Sequence, residues 1–528
     1  MKSASIDCAP DASAMVESLR AHGYTLDTAV ADIVDNSIAA HARTIRIDAR
    51  TTDGESPFIS IADDGDGMSD EELVAAMRLG SRHPSDVRAE DDLGRFGLGL
   101  KTASFSQARR LTVCSRREGH EPATYRWDLD HLARPDVSGW KLLRGADDKS
   151  AARLAGMAES SGTVVLLEDL DRVVDKPAGG VQGAEQEKQF RDKVIRLRQH
   201  LAMVFHRYLT RPRATRVGIF VNDEPVDAWD PFVTANPATQ KFFEGESPSS
   251  SGFSKVRVVG YVLPHRDRFN SRSVELSRKE FEKAAGPLGW NAQQGFYLYR
   301  NDRLIIAGGW LGLGPKPHGW RQEEHFKLAR IQVDIPNNLD LEWRIDVKKS
   351  SAAVPGQLAA WLEGVANTIR KYAKDVYAHR GGSAVSGPKQ NAAAPVSRPW
   401  KSTRTSAGPR YKVDRDHPLV AAIADQLPRS SKPALQQLLK LLEQTVPVEQ
   451  IWVDVADNQG HGTPGYSEFA DAAIEKDIEG FVEALQSSTG RTDRLGCLRD
   501  VKACNIFSKP GHVAMLGMMI DDAEEESR

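Results

Sequence analysis

A chain of 528 residues has room for about three domains of roughly 150 residues each, with ample buried cores, which excludes a small scaffold stapled by disulfides. Its 70 basic and 73 acidic side chains leave a formal charge of −3, so the chain as a whole advertises neither a nucleic-acid nor a membrane partner, and any such partner must be read from local clusters. Four cysteines, at positions 8, 114, 497 and 504, lack metal-ligand spacing and fit free thiols in a reducing compartment. Met1 to Ala14 lacks the basic start and apolar core of a signal peptide, and no apolar run approaches the roughly 20 residues that span a bilayer, so the expected location is cytoplasmic with no membrane partner.

Leu26, Ala29, Val30, Ile33, Val34 and Ile38 recur at three- and four-residue spacing, which predicts an amphipathic helix from Thr25 to about Ala42 with Thr25 as its N-cap. Asp32 and Asn36 stand one turn apart on it. A carboxylate and a carboxamide at that spacing suit a site holding a metal ion and a water molecule, although on this helix alone a solvated polar face is the simpler reading. Ile45 with Ile47, and Phe58 with Ile59 and Ile61, predict two strands that lead into Ala62-Asp63-Asp64-Gly65-Asp66-Gly67-Met68. A calcium loop cannot be laid on that block. Ser69 and Glu72 form a capping-box pattern and Gly80 offers a stop, so a short helix is expected over Asp70 to Leu79.

Ser81 to Leu93 is polar and poorly periodic, a candidate lid over a nucleotide held by the glycine-rich run after it. That run, Gly94-Arg95-Phe96-Gly97-Leu98-Gly99-Leu100-Lys101, crowds three glycines ahead of a lysine, so that backbone amides can close on an anion, most simply a nucleotide phosphate. The order G-x-x-G-x-G after a polar segment disfavours a dinucleotide-binding turn, which runs G-x-G-x-x-G straight after a strand. From Gly97 the pattern turns helical, so the run opens a helix whose N-terminus faces the phosphates. Leu111 to Ser115, Thr124 to Leu129, Trp140 to Leu143 and Thr163 to Leu167 are expected strands, giving a helix layer on a mixed sheet.

The blocks Asp32 to Ile38, Ala62 to Met68 and Gly94 to Lys101, with Gly162-Thr163, resemble in order and spacing the four signature boxes of the GHKL ATPases. That superfamily contains DNA gyrase B, MutL, the large heat-shock chaperone, sensor histidine kinases and the MORC proteins. The resemblance is close over about the first 170 residues and looser over the next 200. It implies an α+β chain with a Bergerat ATP-binding α/β sandwich over 1–185, followed by a transducer-like α/β domain over 186–378.

It also implies ATP and Mg²⁺ as cofactors and assigns roles. Asn36 ligates Mg²⁺ and Asp32 orients the attacking water. Asp63 reads adenine by accepting from its exocyclic amine, Gly65, Gly67 and Met68 pass close to the base, and Thr163 supports Asp63. Gly94, Arg95, Phe96, Gly97, Leu98, Gly99, Leu100 and Lys101 hold the phosphates. This chain departs from the pattern twice: Asp32 stands where gyrase B and MutL have glutamate, and Ala39 where many relatives have aspartate. Both bear on rate more than on binding.

A helical pattern from about Gln186 to Leu209 leads to Gly295 to Ile305, which reads as a hairpin turning at Asn301-Asp302 and resembles the transducer of MORC-type proteins. In the family a lysine of that domain reaches the terminal phosphate. Lys349 is the expected match, with Lys348 as the alternative. Residues 379–412 carry basic side chains among Gly, Ser, Ala and Pro without an acidic one, as a flexible linker or a phosphate-tracking arm would. Helical periodicity returns over 413–528. By resemblance the expected activity is that of an ATPase forming a nucleotide-dependent homodimeric clamp, strapped by Met1 to Arg20 and acting on DNA or a DNA-bound complex. Other proteins would be engaged through the C-terminal domain. A protein-remodelling chaperone and a nucleotide-gated scaffold that barely hydrolyses ATP are the alternatives.

Overall fold

Strand formation begins where β-branched residues alternate with polar ones, so that one set of side chains turns inward. In a computed structural model the described residues are 10–21, 23–51, 56–80, 99–154, 161–174, 183–248, 255–270, 273–339, 342–345, 352–378, 400–405, 408–445, 474–489, 492–503 and 510–526. They divide into two units, Met1–Val385 and Ser386–Arg528.

In the first unit β1 (Thr44–Arg50) buries Ile45, Ile47 and Ala49 and pairs antiparallel with β2 (Phe58–Asp63). The sheet is completed by β3 (Arg110–Arg116), β4 (Ala123–Asp128), β5 (Leu143–Arg144), β6 (Gly162–Glu168), β7 (Gly218–Val221) and β8 (Glu224–Pro225), in the order β5-β4-β3-β6-β2-β1-β7-β8. Among the described residues of this sheet only β1 and β7 pair parallel. The central strand β6 is buried at every position because both faces are covered. Val165 and Leu167 face the main core, while Val164 and Leu166 face Cys114 and Leu154 on the other side.

The main core lies between this sheet and a helix layer: α1 (Ala12–Arg20), α2 (Leu26–Ala39), α3 (Asp70–Met77), α4 (Gly99–Gln107) and the long helix Ala184–Val204. The α2 helix packs against both α4 and Ala184–Val204. It ends at Ala39, earlier than its periodicity suggests, because His41 adopts a left-handed φ of 61° that no helix continues. The capping box of α3 forms as expected, with Ser69 Oγ accepting from the Glu72 N–H and Glu72 Oε2 accepting from the Ser69 N–H. Of the strand expected over Trp140 to Leu143 only Leu143 pairs, in the two-residue β5. Gly139 turns the chain at φ 72°, and Trp140 packs edge-on against Trp127 instead of extending a ladder.

A second sheet follows in the same unit: β9 (Gln240–Pro248), β10 (Lys255–Val262), β11 (Gly295–Arg300), β12 (Arg303–Ala307) and β13 (Ala329–Ile335), in the order β12-β11-β13-β10-β9. Phe296, Leu298, Ile331 and Val333 on one face are covered by Leu362 and Ile369 of the helix Gly356–Ala378. Tyr297, Tyr299 and Leu304 on the opposite face close on Met203 of the helix Ala184–Val204, so one helix serves both sheets. The β11–β12 turn is the expected one, with Asn301 and Asp302 both left-handed at φ 46° and 65°, as a two-residue hairpin turn of this hand requires.

In the second unit the segment read as a linker contains a paired hairpin, β14 (Trp400–Thr405) with β15 (Gly408–Val413). Three of its helices, Ile474–Thr489, Arg494–Ala503 and Pro510–Glu526, enclose Ile478, Val482, Leu498, Val501 and Leu516. Among the described residues no helix is long and apolar enough to cross a membrane.

Candidate functional site

The acidic block after β2 assigns a separate partner to each carboxylate. Asp64 Oδ1 accepts from the Arg43 and Thr44 N–H groups and anchors the start of β1, and Asp66 meets His41 at the surface, both as an ordinary acidic turn would. Asp63 is different, because it lies buried at the strand end where β2 pairs with β6. Its Oδ2 accepts from Ser37 Oγ at 2.7 Å, and its Oδ1 accepts from the N–H groups of Gly65 at 3.0 Å and Thr163 at 3.2 Å. Burial pushes this carboxyl above its ordinary value, and the bonds from Ser37, Gly65 and Thr163 pull it part of the way back.

Thr163 thus meets Asp63 through its backbone. Its hydroxyl bonds to Ser115 Oγ at 2.8 Å, and Ser115 Oγ also accepts from the Met68 N–H at 2.9 Å. The room made by the two glycines is taken up by protein. A Cβ on Gly65 would stand 2.6 Å from the Ala40 carbonyl oxygen, and one on Gly67, whose φ is +66°, only 1.7 Å from that of Arg116.

The α2 helix passes this cradle and presents the other polar residues. Asn36, next to Ser37, is exposed, whereas Asp32 one turn earlier is buried. Asp32 Oδ2 accepts from the Tyr24 hydroxyl at 3.0 Å, and its Oδ1 lies 3.4 Å from Arg303 Nη2. Arg303 comes from β12 of the second sheet. Its Nε donates to both oxygens of Asp35, at 2.8 and 2.7 Å, and its Nη1 to the Leu304 carbonyl. Burial works to lower the Arg303 pKa, yet Asp35 and Asp32 beside it leave it above its ordinary value. His200, whose Nδ1 lies 3.6 Å from Asp27 at the start of α2, is pushed down to about 4 by burial and so stays neutral near pH 7.

At the start of α4, no described atom outside its own turn lies within 4 Å of where a Cβ on Gly99 would stand, Leu100 packs on the main core, and Lys101 turns inward so that its Nζ donates to the Ala76 carbonyl at 2.8 Å. Burial pushes Lys101 down to about 8. Gly94, Arg95, Phe96, Gly97 and Leu98, the lid candidate Ser81 to Leu93, and Lys348 and Lys349 lie outside the described residues.

Of the expected site residues, Asp63, Gly65, Met68 and Thr163 come together in one hydrogen-bonded group, and Asp32 and Asn36 share α2. Ser37, Ser115, Tyr24, Asp35 and Arg303 are additions. Ser37 and Asp35 flank Asn36, and a serine beside a polar helix stripe carries no signal of its own. Arg303 could have been suspected, because a charged residue opens an otherwise apolar strand just after a tight turn.

Residues 24–149 match the family of histidine kinase-, DNA gyrase B- and HSP90-like ATPases, so the chain carries a GHKL ATPase domain within an α+β fold. Among individual proteins, it is 34% identical over 92 residues to the ATPase morc-1 of Caenorhabditis elegans, a stretch covering 17% of this chain and 10% of that protein. It is 38% identical over 97 residues to the DNA mismatch repair protein MutL of Coxiella burnetii, covering 17% and 16%. Against the MutL of Paramagnetospirillum magneticum it is 35% identical over 106 residues, covering 19% and 16%. The chain thus spans less than a fifth of the length of each of these relatives.

Proposed function

We propose that this chain is a Mg²⁺-dependent ATP-binding and hydrolysing protein that works as an ATP-gated dimeric clamp on DNA or on a DNA-bound complex. The observation that carries the nucleotide reading is the Asp63 cradle. A carboxylate offers about four acceptor positions, and among the described residues three are filled, by Ser37, Gly65 and Thr163, which leaves one for the exocyclic amine of adenine. Guanine offers a carbonyl oxygen there and would meet acceptor with acceptor.

Asn36 fits the second requirement. Mg²⁺ keeps most of its waters and takes few protein ligands beside substrate phosphates, so one exposed carboxamide is a sufficient hold. When bound, the ion would neutralise phosphate charge and polarise the terminal phosphoryl group. Asp32 is the general base of this reading, with Tyr24 fixing one of its oxygens. Lys101, pushed down to about 8 by burial, keeps its charge near pH 7, and a phosphate beside it would hold that charge more firmly. The clamp and the DNA come from likeness to proteins named as an ATPase and as a mismatch repair protein. By the same likeness, Lys349 or Lys348 of the transducer-like domain is proposed to reach the terminal phosphate.

Light scattering with and without a nonhydrolysable ATP analogue, paired with ATP turnover with and without duplex DNA, tests the whole reading. The expected result is a dimer only with the analogue and turnover raised by DNA. A chain that stays monomeric and ignores DNA would sink the clamp. Analogue-driven dimers without turnover would favour the second reading, a nucleotide-gated scaffold, which the double hold on Asp32 also suits.

A further inference from the structure

Arg303 lies 268 positions from Asp35 in the chain, yet its guanidinium is buried against two carboxylates of α2. The two contacts differ in length. The single Nε–H is shared between the two Asp35 oxygens at 2.7 and 2.8 Å, in the range of a charge-assisted bond, whereas the approach to Asp32, at 3.4 Å, is at the long limit of a hydrogen bond. Asp35 therefore anchors the guanidinium on the helix, and the anchored fork leaves one Nη aimed at Asp32. Tyr24 takes the other oxygen of Asp32, so the plane of that carboxylate is set from both sides.

The strand that carries Arg303 is itself held. Asp302, in the turn just before it, pairs with Arg211 at 2.6 Å and with Arg207. Arg207 also bonds Asp334 of β13 and lies over the Tyr299 ring of β11, and the Tyr208 hydroxyl donates to the Asn301 carbonyl. A rigid hairpin of the second sheet thus delivers one cation to the helix of the first. Asp32 and Asp35 are three residues apart, hence on one side of the helix, and two buried carboxylates so placed resist being ionised together without a cation between them.

We infer that Arg303 is a positioning residue for Asp32: it orients the carboxylate and ties its placement to that of the second sheet, so that ATP hydrolysis depends on that sheet through a residue that touches neither nucleotide nor metal. This rests on the reading of Asp32 as the base. The short aspartate makes the demand stricter, since a side chain one methylene shorter than glutamate has less freedom to find the water by itself.

The test uses the full chain with Arg303→Met, which keeps length and removes the charge, and Arg303→Lys, which keeps charge and loses the fork. Affinity for a nonhydrolysable ATP analogue and the kcat for ATP are measured for both, beside wild type and Asp32→Asn. The expected result is a kcat lower by about 100-fold in Arg303→Met and about 10-fold in Arg303→Lys, with analogue affinity within about threefold of wild type. Should Arg303→Met fail to fold, Arg303→Lys decides by the same split. Unchanged kcat in Arg303→Lys, or kcat and affinity falling together, would overturn the inference while leaving the ATPase reading intact if Asp32→Asn is inactive. A wild type that binds the analogue without turning over ATP removes both, whereas turnover that survives Asp32→Asn removes the inference together with Asp32 as the base and leaves the ATPase reading standing.

Discussion

Asp32→Asn should lower ATP turnover by about 10²- to 10⁴-fold, the range that a positioned general base contributes, while leaving nucleotide affinity near the wild-type value. The separation arises from the partners. Asp32 is bonded to Tyr24 and Arg303, whereas the residues gathered at Asp63 are Ser37, Gly65 and Thr163, so the two groups share the helix but none of these hydrogen bonds. Asparagine has one acceptor end and one donor end. It can keep the Arg303 contact only by turning its amide toward Tyr24, whose hydroxyl must then reverse its role. Arg303 retains Asp35, so the fold should lose only about 1–3 kcal/mol, less than the loss on stranding a buried charge. Steady-state phosphate release with a binding titration of the analogue checks both halves. Turnover at the wild-type level would remove Asp32 from the chemistry.

Asp63→Asn should act on binding instead, weakening ATP by about 10²- to 10⁴-fold, as expected where a site built for a substrate N–H loses its acceptor. The amide oxygen can still accept from the Gly65 and Thr163 N–H groups, and the amide nitrogen can donate to Ser37 Oγ, so the protein's own bonds survive with some rearrangement. What is lost is the remaining acceptor, replaced by a donor that faces the donor of adenine. The same donor suits the guanine carbonyl, so discrimination against GTP should shrink.

The substitution also carries a pH signature. In the folded chain the Asp63 carboxyl sits above its ordinary value, chiefly through burial. Wild-type ATP affinity should therefore fall as pH drops through that raised value, since the protonated group loses an acceptor. Folding runs the other way: the buried charge costs stability above the raised value, and the cost is relieved as pH falls toward the ordinary carboxylate range. Asp63→Asn should abolish both dependences, which parallel titrations of wild type and variant between about pH 4 and pH 8 would show.

Local rules made much of this legible. The α2 periodicity, the Ser69–Glu72 capping box and the Asn301-Asp302 turn each depend on residues within a few positions of one another, and each forms, with α2 stopping at Ala39 short of its pattern. The place of Asp63 at a strand end is legible because a strand pattern ends on it, while its role toward adenine is implied by resemblance. What could not be read depends on contacts made across the chain. Nothing near Gly67 reveals that the Arg116 carbonyl occupies the space of its missing Cβ, and nothing near Asp35 reveals Arg303. Trp140 to Leu143 has strand composition, but packing of Trp140 on Trp127 overrode it.

All of these expectations rest on Asp63 and its neighbours forming an adenine site. Calorimetric titration of the wild-type chain with nonhydrolysable analogues of ATP and GTP, in the presence of Mg²⁺, tests it most directly. One ATP analogue should bind per chain, and the GTP analogue should bind more weakly by at least about 100-fold, the size of a lost and opposed hydrogen bond in a buried site. Absence of ATP binding, or equal binding of the two, would contradict the adenine site.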